Sequence, residues 1–392
     1  MRRPILATIG LVAIAALALG ACSSSDDASN PTTTSAASGR IRIGLEGPLT
    51  GDQKDTGIGM LRGARLAAQQ LNAKGGIGGK QVEIVPIDDQ ADPKVAKVAA
   101  KRAIAAGLDA VVGPYNSGAG LVTLPLYIDA GLVPLRLTSS DQTSGLGFTL
   151  QPMTSQIAPV ATKAITTDFQ AKKVGIIYDT TQDYTKAAND AMQTQLRAAG
   201  VTITIDEGIE PGAKSYTDTV TTVAATNPDL VYVITYYPEG GLIAKAMYDA
   251  KATPKCFADL GAYDPGFIKA AGVDAAKACP VVGVPAPNDF PGSADLIAAY
   301  RKAFGAAPGA WSPYTYDSVN LIATVAAKTG FEAGALSAGI RAVNGWKGWT
   351  GTVAFEAGSG NRIPAPLTVD SVGDDGSYHV DQAWAASVGF AY

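Results

Sequence analysis

The sequence predicts an α/β protein of two lobes, each a mainly parallel sheet flanked by helices, with a hinge between them. Three observations predict it. From residue 41 short β-rich runs alternate with amphipathic helical segments. The alternation breaks over residues 147–158 and then begins again, and further helices and a tail of short strands follow. In order, IRIGLEG is strand-like, and IGMLRGARLAAQQLNAKGG is helical and closes on a glycine pair where a C-cap falls. QVEIVPID is a strand, DPKVAKVAAKRAIAAG a helix, DAVVGP a strand, SGAGLVTLPLYIDAG a helix and LVPLRLT a strand. Such alternation is built by right-handed crossovers onto a parallel sheet. After FTLQPMTSQ the strands are KKVGIIYD, VTITIDEG, DLVYVITY and KCFADLG, with helices in YTKAANDAMQTQLRAAG, SYTDTVTTVAATN and EGGLIAKAMYDAKA. SADLIAAYRKAFGA and YTYDSVNLIATVAAKTG are helical, while TGTVAFEAGSGNR, APLTVDSVG and YHVDQAWAA read as short antiparallel strands. This order implies that the chain crosses between lobes more than once. The first lobe is expected over 41–157 plus about 285–347, and the second over 158–284 plus about 348–392.

The N-terminus belongs to neither lobe. Arg2 and Arg3 precede the apolar run ILATIGLVAIAALALG, which is short for a membrane span and ends in LGAC. Cys22 after small residues matches a bacterial lipoprotein cleavage box, so residues 1–21 are expected to be a signal peptide and Cys22 a lipidated N-terminus. Residues 22–40, rich in Ser and Thr, have no apolar periodicity and are expected to be a flexible tether reaching about 20–25 Å. The expected location is outside the cytoplasm, held to the cell membrane by lipid. Cys256 and Cys279 lie in or beside the strands PKCFAD and ACPVVGV with one helix between them, so either a disulfide or two buried thiols fits.

A chain of 392 residues with 17% charged residues and a net charge of −4 carries no basic stripe for nucleic acid. GIGMLRG has two glycines of a dinucleotide fingerprint, but Arg62 takes the third glycine's place. GGIGGKQ runs from helix to strand and has Gln81 where a phosphate loop has Ser or Thr. His379 is the single histidine, which excludes a histidine metal cluster, and Tyr115 replaces the first glycine of a nucleophile elbow around Ser117. No catalytic set, metal site or cofactor is expected. Binding is.

In open parallel sheets ligands sit beyond the carboxyl ends of strands. VVGPYNSGAG is such a place: Gly113 and Pro114 turn the chain, Asn116 or Ser117 can cap the next helix, and free first-turn N–H groups suit a carboxylate or another small acceptor. The next strand ends in LTSSD, offering Thr138, Ser139 and Ser140 at a second corner. The alternative for both is ordinary helix capping.

The block GLEGPLTGDQKDTGIGMLRGARLAAQQLNAKGGIGGKQVEIVPIDDQADPKVA closely resembles the start of type I periplasmic binding proteins, in particular the leucine/isoleucine/valine-binding branch that feeds an ABC importer. The likeness continues through VVGPYNSG, GLVPLRLTSS, KVGIIYDTTQDYTKA, LVYVITYYPEGG, GAYDPGFIKAAG and SPYTYDSVNLIA. It implies that fold, a small-molecule ligand held between lobes that close on it, ABC permease subunits as membrane partners, and a monomer. It places Ser117 and Ser140 as hydroxyl ligands beside Tyr115 and Asn116, gives Thr138 and Ser139 backbone roles, and makes Tyr184 and Tyr236 closing aromatics of the second lobe.

This sequence departs from the family at two positions. The carboxylate that holds a ligand ammonium aligns with Leu260, with Asp259 one residue early, and an aromatic of some members is Thr56 here. Either Asp259 shifts to serve, or the ligand has no α-ammonium. Arg136 could pair with a ligand acid or with a neighbouring acidic side chain. A branched-chain or other aliphatic amino acid is the first expectation for the ligand, and an amide, urea-like molecule or aromatic acid the second. A ligand sensor signalling to a membrane partner would use the same fold.

Overall fold

The computed structural model describes residues 39–388; the expected signal peptide, Cys22 and nearly all of the tether lie outside them. The first sheet is built by β1 (Arg40–Gly47), α1 (Lys54–Ala73), β2 (Gln81–Asp88), α2 (Pro93–Ala105), β3 (Ala110–Val112), α3 (Ser117–Asp129), β4 (Pro134–Arg136) and β5 (Phe148–Thr149). Its strand order is β2-β1-β3-β4-β5, every pair parallel. Local sequence explains the starts: Asp92 accepts from Lys94 N at 2.6 Å and Val95 N at 3.3 Å with Pro93 at the first helical position, an N-cap that begins α2 where DPKVA predicts.

The chain then forms α4 (Thr154–Thr167), β6 (Lys173–Asp179), α5 (Asp183–Ala198), β7 (Thr202–Ile209), α6 (Thr217–Ala225), β8 (Leu230–Ile234), α7 (Tyr237–Asp249), β9 (Lys255–Ala258), α8 (Pro265–Ala271), α9 (Val273–Lys277) and β10 (Val281–Gly283). It returns to the first sheet with α10 (Ala294–Phe304), α11 (Ser312–Thr329) and α12 (Ala333–Arg341), and adds a hairpin of β11 (Asn344–Gly348) and β12 (Gly351–Ala354). β13 (Thr368–Val372), β14 (Tyr378–Val380) and α13 (Gln382–Val388) complete the described chain. The second sheet runs β14-β13-β10-β9-β8-β6-β7, parallel except for the β10–β13 and β13–β14 pairs. The chain therefore passes between the sheets three times. YHVDQAWAA is corrected: only Tyr378–Val380 is strand, and Asp381 accepts from Trp384 N at 2.9 Å to start a helix. Cys256 and Cys279 form a disulfide, with two short helices between them, not one.

The glycines of GIGMLRG serve packing. A Cβ on Gly63 would lie 2.1 Å from Ser312 O, so α1 and α11 approach backbone to backbone, and Thr315 Oγ1 donates to Met60 O at 2.7 Å across the same seam. At the carboxyl edge of the first sheet Glu46 and Asp89 are both fully buried. Burial pushes Asp89 up to about 7, and burial followed by repulsion from Asp89 holds Glu46 well above the ordinary carboxylate range. A raised acid keeps in the native state a proton that the unfolded chain releases near pH 4, so these groups stabilise the fold at low pH and less as pH rises. The melting temperature is expected to fall between pH 4 and pH 7, and Glu46→Gln to flatten that slope; a rising curve in calorimetry would contradict this.

Candidate functional site: a crevice between two sheets

Most of the corners in the crevice follow the carboxyl ends of strands, because parallel strands deliver their loops to one edge. In the first lobe β3 ends at Gly113, whose φ of +98° and 2.1 Å Cβ approach to Glu46 O admit only glycine. The turn presents Tyr115 and Asn116 and starts α3 at Ser117, a helix with no side-chain cap. The corner after β4 carries Leu137 to Ser140. The two corners are tied together: Ser140 N donates to Ser117 Oγ at 3.2 Å and Leu137 N to Pro114 O at 2.9 Å. With its oxygen accepting from Ser140, the Ser117 hydroxyl proton is free for a ligand.

The second lobe supplies Tyr184 from α5, Tyr236 from the N-cap of α7, and Leu260 and Gly261 after β9. With Tyr115, Ser117, Leu137, Ser139, Gln151 and Trp311 they line a tightly closed crevice whose free volume is about 10 Å³, room for about one water molecule. Aromatic rings continue across it: Tyr115 lies 5.9 Å from both Tyr236 and Trp311, and Tyr184 lies 6.0 Å from Tyr236, centroid to centroid. Two hydrogen bonds close the lobes at its rim. Thr56 Oγ1 donates to Asp264 Oδ2 at 2.6 Å, and Tyr237 Oη donates to Asp52 O at 2.7 Å. Burial pushes the Asp264 carboxyl up to about 6.

The expected residues divide accordingly. Tyr115, Ser117, Ser139, Tyr184, Tyr236 and Leu260 face the crevice. Asn116 stands one step back, donating to Gln53 Oε1 at 2.9 Å within reach of the Tyr236 hydroxyl. Thr138 pairs with Thr143 at 2.7 Å, and Ser140 Oγ caps the following turn, so both support the corner from behind. Thr56 is a latch between lobes.

Asp259 does not shift into the crevice: its carboxylate accepts from Tyr184 Oη and, at 2.7 Å, from Tyr232 Oη, and burial raises its pKa. Arg136 does not line the crevice and is not paired with a neighbouring acidic side chain. Its guanidinium is fully buried and donates to Thr138 O at 3.2 Å and Asn361 Oδ1 at 2.5 Å, and among the described residues it has no salt bridge. His379 pairs with Asp375 on β14, apart from the crevice.

Leu137, Gln151, Gly261 and Trp311 were not expected. Gln151 sits in the break after β5, the one polar residue between Leu150 and Pro152 in a segment that joins the lobes. Trp311 caps α11 directly before SPYTYDS, and its position at a helix start was the available signal. Among the described residues no helix is long and apolar enough to cross a membrane.

Residues 40–377 match the family model described as periplasmic binding protein. A Leu/Ile/Val-binding protein of Rhizobium johnstonii is 35% identical over 54% of this chain and 59% of its own length. A Leu/Ile/Val-binding protein homologue of Brucella abortus is 26% identical over 87% of this chain and 93% of its own. In fold, the chain is similar to a leucine-binding protein of Thermotoga maritima, with a TM-score of 0.80 at 20% identity over 87% of this chain and 97% of that one. It is also similar to a branched-chain amino acid transporter binding protein of Streptococcus pneumoniae, solved with isoleucine, with a TM-score of 0.79 at 23% identity over 87% and 99%. With a family match spanning nearly all the described residues, the chain belongs to the periplasmic binding protein family, as a solute-binding protein.

Proposed function

We propose that the protein is the solute-binding component of an ABC importer, tethered outside the cytoplasm by lipid on Cys22, and that it captures one small solute by closing its lobes. The observation that carries the reading is the crevice itself. A corner of hydroxyl and amide donors from the first lobe faces an aromatic wall from the second, across a space sealed at its rim by Thr56–Asp264 and Tyr237–Asp52. The first lobe can dock a solute alone, because Ser117, Ser139 and the start of α3 are already ordered against one another. Closure then adds contacts that exist only when both lobes are present, and that differential is what shifts the population to the closed state. Burial of the Thr56–Asp264 latch makes that bond worth more than an exposed one.

Isothermal titration and melting shift against a panel of amino acids, amides and organic acids test the reading. One compound is expected to bind stoichiometrically and to raise the melting temperature by mass action. Ser117→Ala is expected to weaken that binding by about 1–3 kcal/mol without unfolding the protein, since it deletes one buried hydrogen bond to the ligand. A panel and a cell extract that leave the melting temperature unmoved would end the importer reading. A Ser117→Ala variant that binds like wild type would move the docking corner elsewhere.

A further inference from the structure

We infer that the crevice selects a small organic acid whose second polar group is an uncharged donor, a hydroxyl or amide N–H read by Gln151, in place of an α-ammonium. The inference deepens the solute-binding reading and rests on it.

The first observation is a donor-rich corner with a positive charge behind it. Ser117 offers its hydroxyl proton, and Ser139 N–H donates to no protein group among the described residues. Arg136 donates to the carbonyl oxygen of Thr138, the same peptide unit whose N–H belongs to Ser139. Burial lowers the Arg136 guanidinium to about 9, which leaves it protonated near neutral pH, so its unbridged charge polarises that peptide and strengthens the N–H on the opposite side. The start of α3 adds its partial positive charge. All these elements favour an anionic acceptor such as a carboxylate.

The second observation is the other end of the crevice. No carboxylate lines it, because Asp259 is fully buried and already accepts two tyrosine hydroxyls, and Leu260 occupies the crevice-facing step after it. Tyr184 spends its proton on Asp259 and so presents only ring and lone pair. Among the polar groups of the lining is Gln151, 2% exposed, whose Oε1 has no hydrogen-bond partner among the described residues. A buried amide oxygen without a donor is costly, and a ligand donor removes that cost. A hydroxyl or amide N–H satisfies it outright. An ammonium would enter an aromatic-walled space whose lining offers neutral acceptors and no carboxylate, which is unfavourable for a desolvated cation.

Matched acids on one carbon skeleton separate the possibilities. Calorimetric titration of the purified protein would use leucine, its α-hydroxy analogue and its analogue with neither group, and the same three forms of phenylalanine. The hydroxy acid is expected to bind at least tenfold more tightly than the amino acid on the same skeleton. Gln151→Leu is expected to abolish the hydroxy acid's advantage over the unsubstituted acid. An amino acid that binds as tightly as its hydroxy analogue overturns the inference and leaves the solute-binding reading standing. Equal loss for all acids in Gln151→Leu, with an unchanged melting temperature, overturns the role of Gln151. If no acid binds while a compound from a cell extract raises the melting temperature, the ligand class is wrong and the solute-binding reading holds; if neither binds, both fall.

Discussion

Asp259→Ala is expected to lower the unfolding free energy by about 2–6 kcal/mol, because it strands two buried tyrosine hydroxyls at about 1–3 kcal/mol each. Tyr184 and Tyr232 both donate to this carboxylate, and all three side chains are buried. Asp259→Asn keeps one acceptor oxygen at nearly the same place and is expected to cost much less, with solute affinity changed by less than about threefold because the side chain lies behind the crevice wall. Urea unfolding of both variants, with calorimetric titration of the asparagine form, checks the pair. Wild-type stability in the alanine form would show that the tyrosine bonds are not what holds the wall. A large loss of affinity confined to Asp259→Asn would return the carboxylate to the ligand.

Tyr236→Ala should have the largest effect on binding. The ring lies in the middle of the aromatic series, 5.9 Å from Tyr115 of the first lobe and 6.0 Å from Tyr184 of its own, and is nearly fully buried. Removing it leaves the first-lobe corner intact but deletes apolar surface that exists only when the lobes are together. Aromatic anchors in such closed pockets are worth about 2–4 kcal/mol, so affinity is expected to drop roughly 30- to 1,000-fold. The loss should appear mainly as faster dissociation, since docking to Ser117 and Ser139 precedes closure. Stopped-flow fluorescence measures both rates. A variant whose association slows while its dissociation stays at wild type would place Tyr236 in docking instead.

The parallel lobes were legible because their strands and helices obey period and capping rules within single segments, as DPKVA does at α2. The two first-lobe corners were legible for the same local reason: a strand end, a turn and a run of small polar residues fall within ten positions. What was not legible depends on distant partners. YHVDQAWAA reads as strand because its apolar residues alternate, yet Asp381 caps a helix within it. Asp259 looked available to a ligand because nothing in the local sequence shows Tyr184 and Tyr232 reaching it from α5 and β8. Arg136 is a charge that sequence expects to be paired with an acid, and it is held by carbonyl and amide oxygens from Thr138 and Asn361. Gln151 carried no motif. Its place in the crevice follows from the crossing between lobes.

Small-angle X-ray scattering of the protein, with and without the compound that binds most tightly, tests closure most directly. The account predicts a smaller radius of gyration when the solute is bound, with wild-type shrinkage reduced in Tyr236→Ala at matched occupancy. Saturating solute that leaves the scattering of the wild-type protein unchanged, from a free form already distributed between open and closed, would contradict capture by lobe closure.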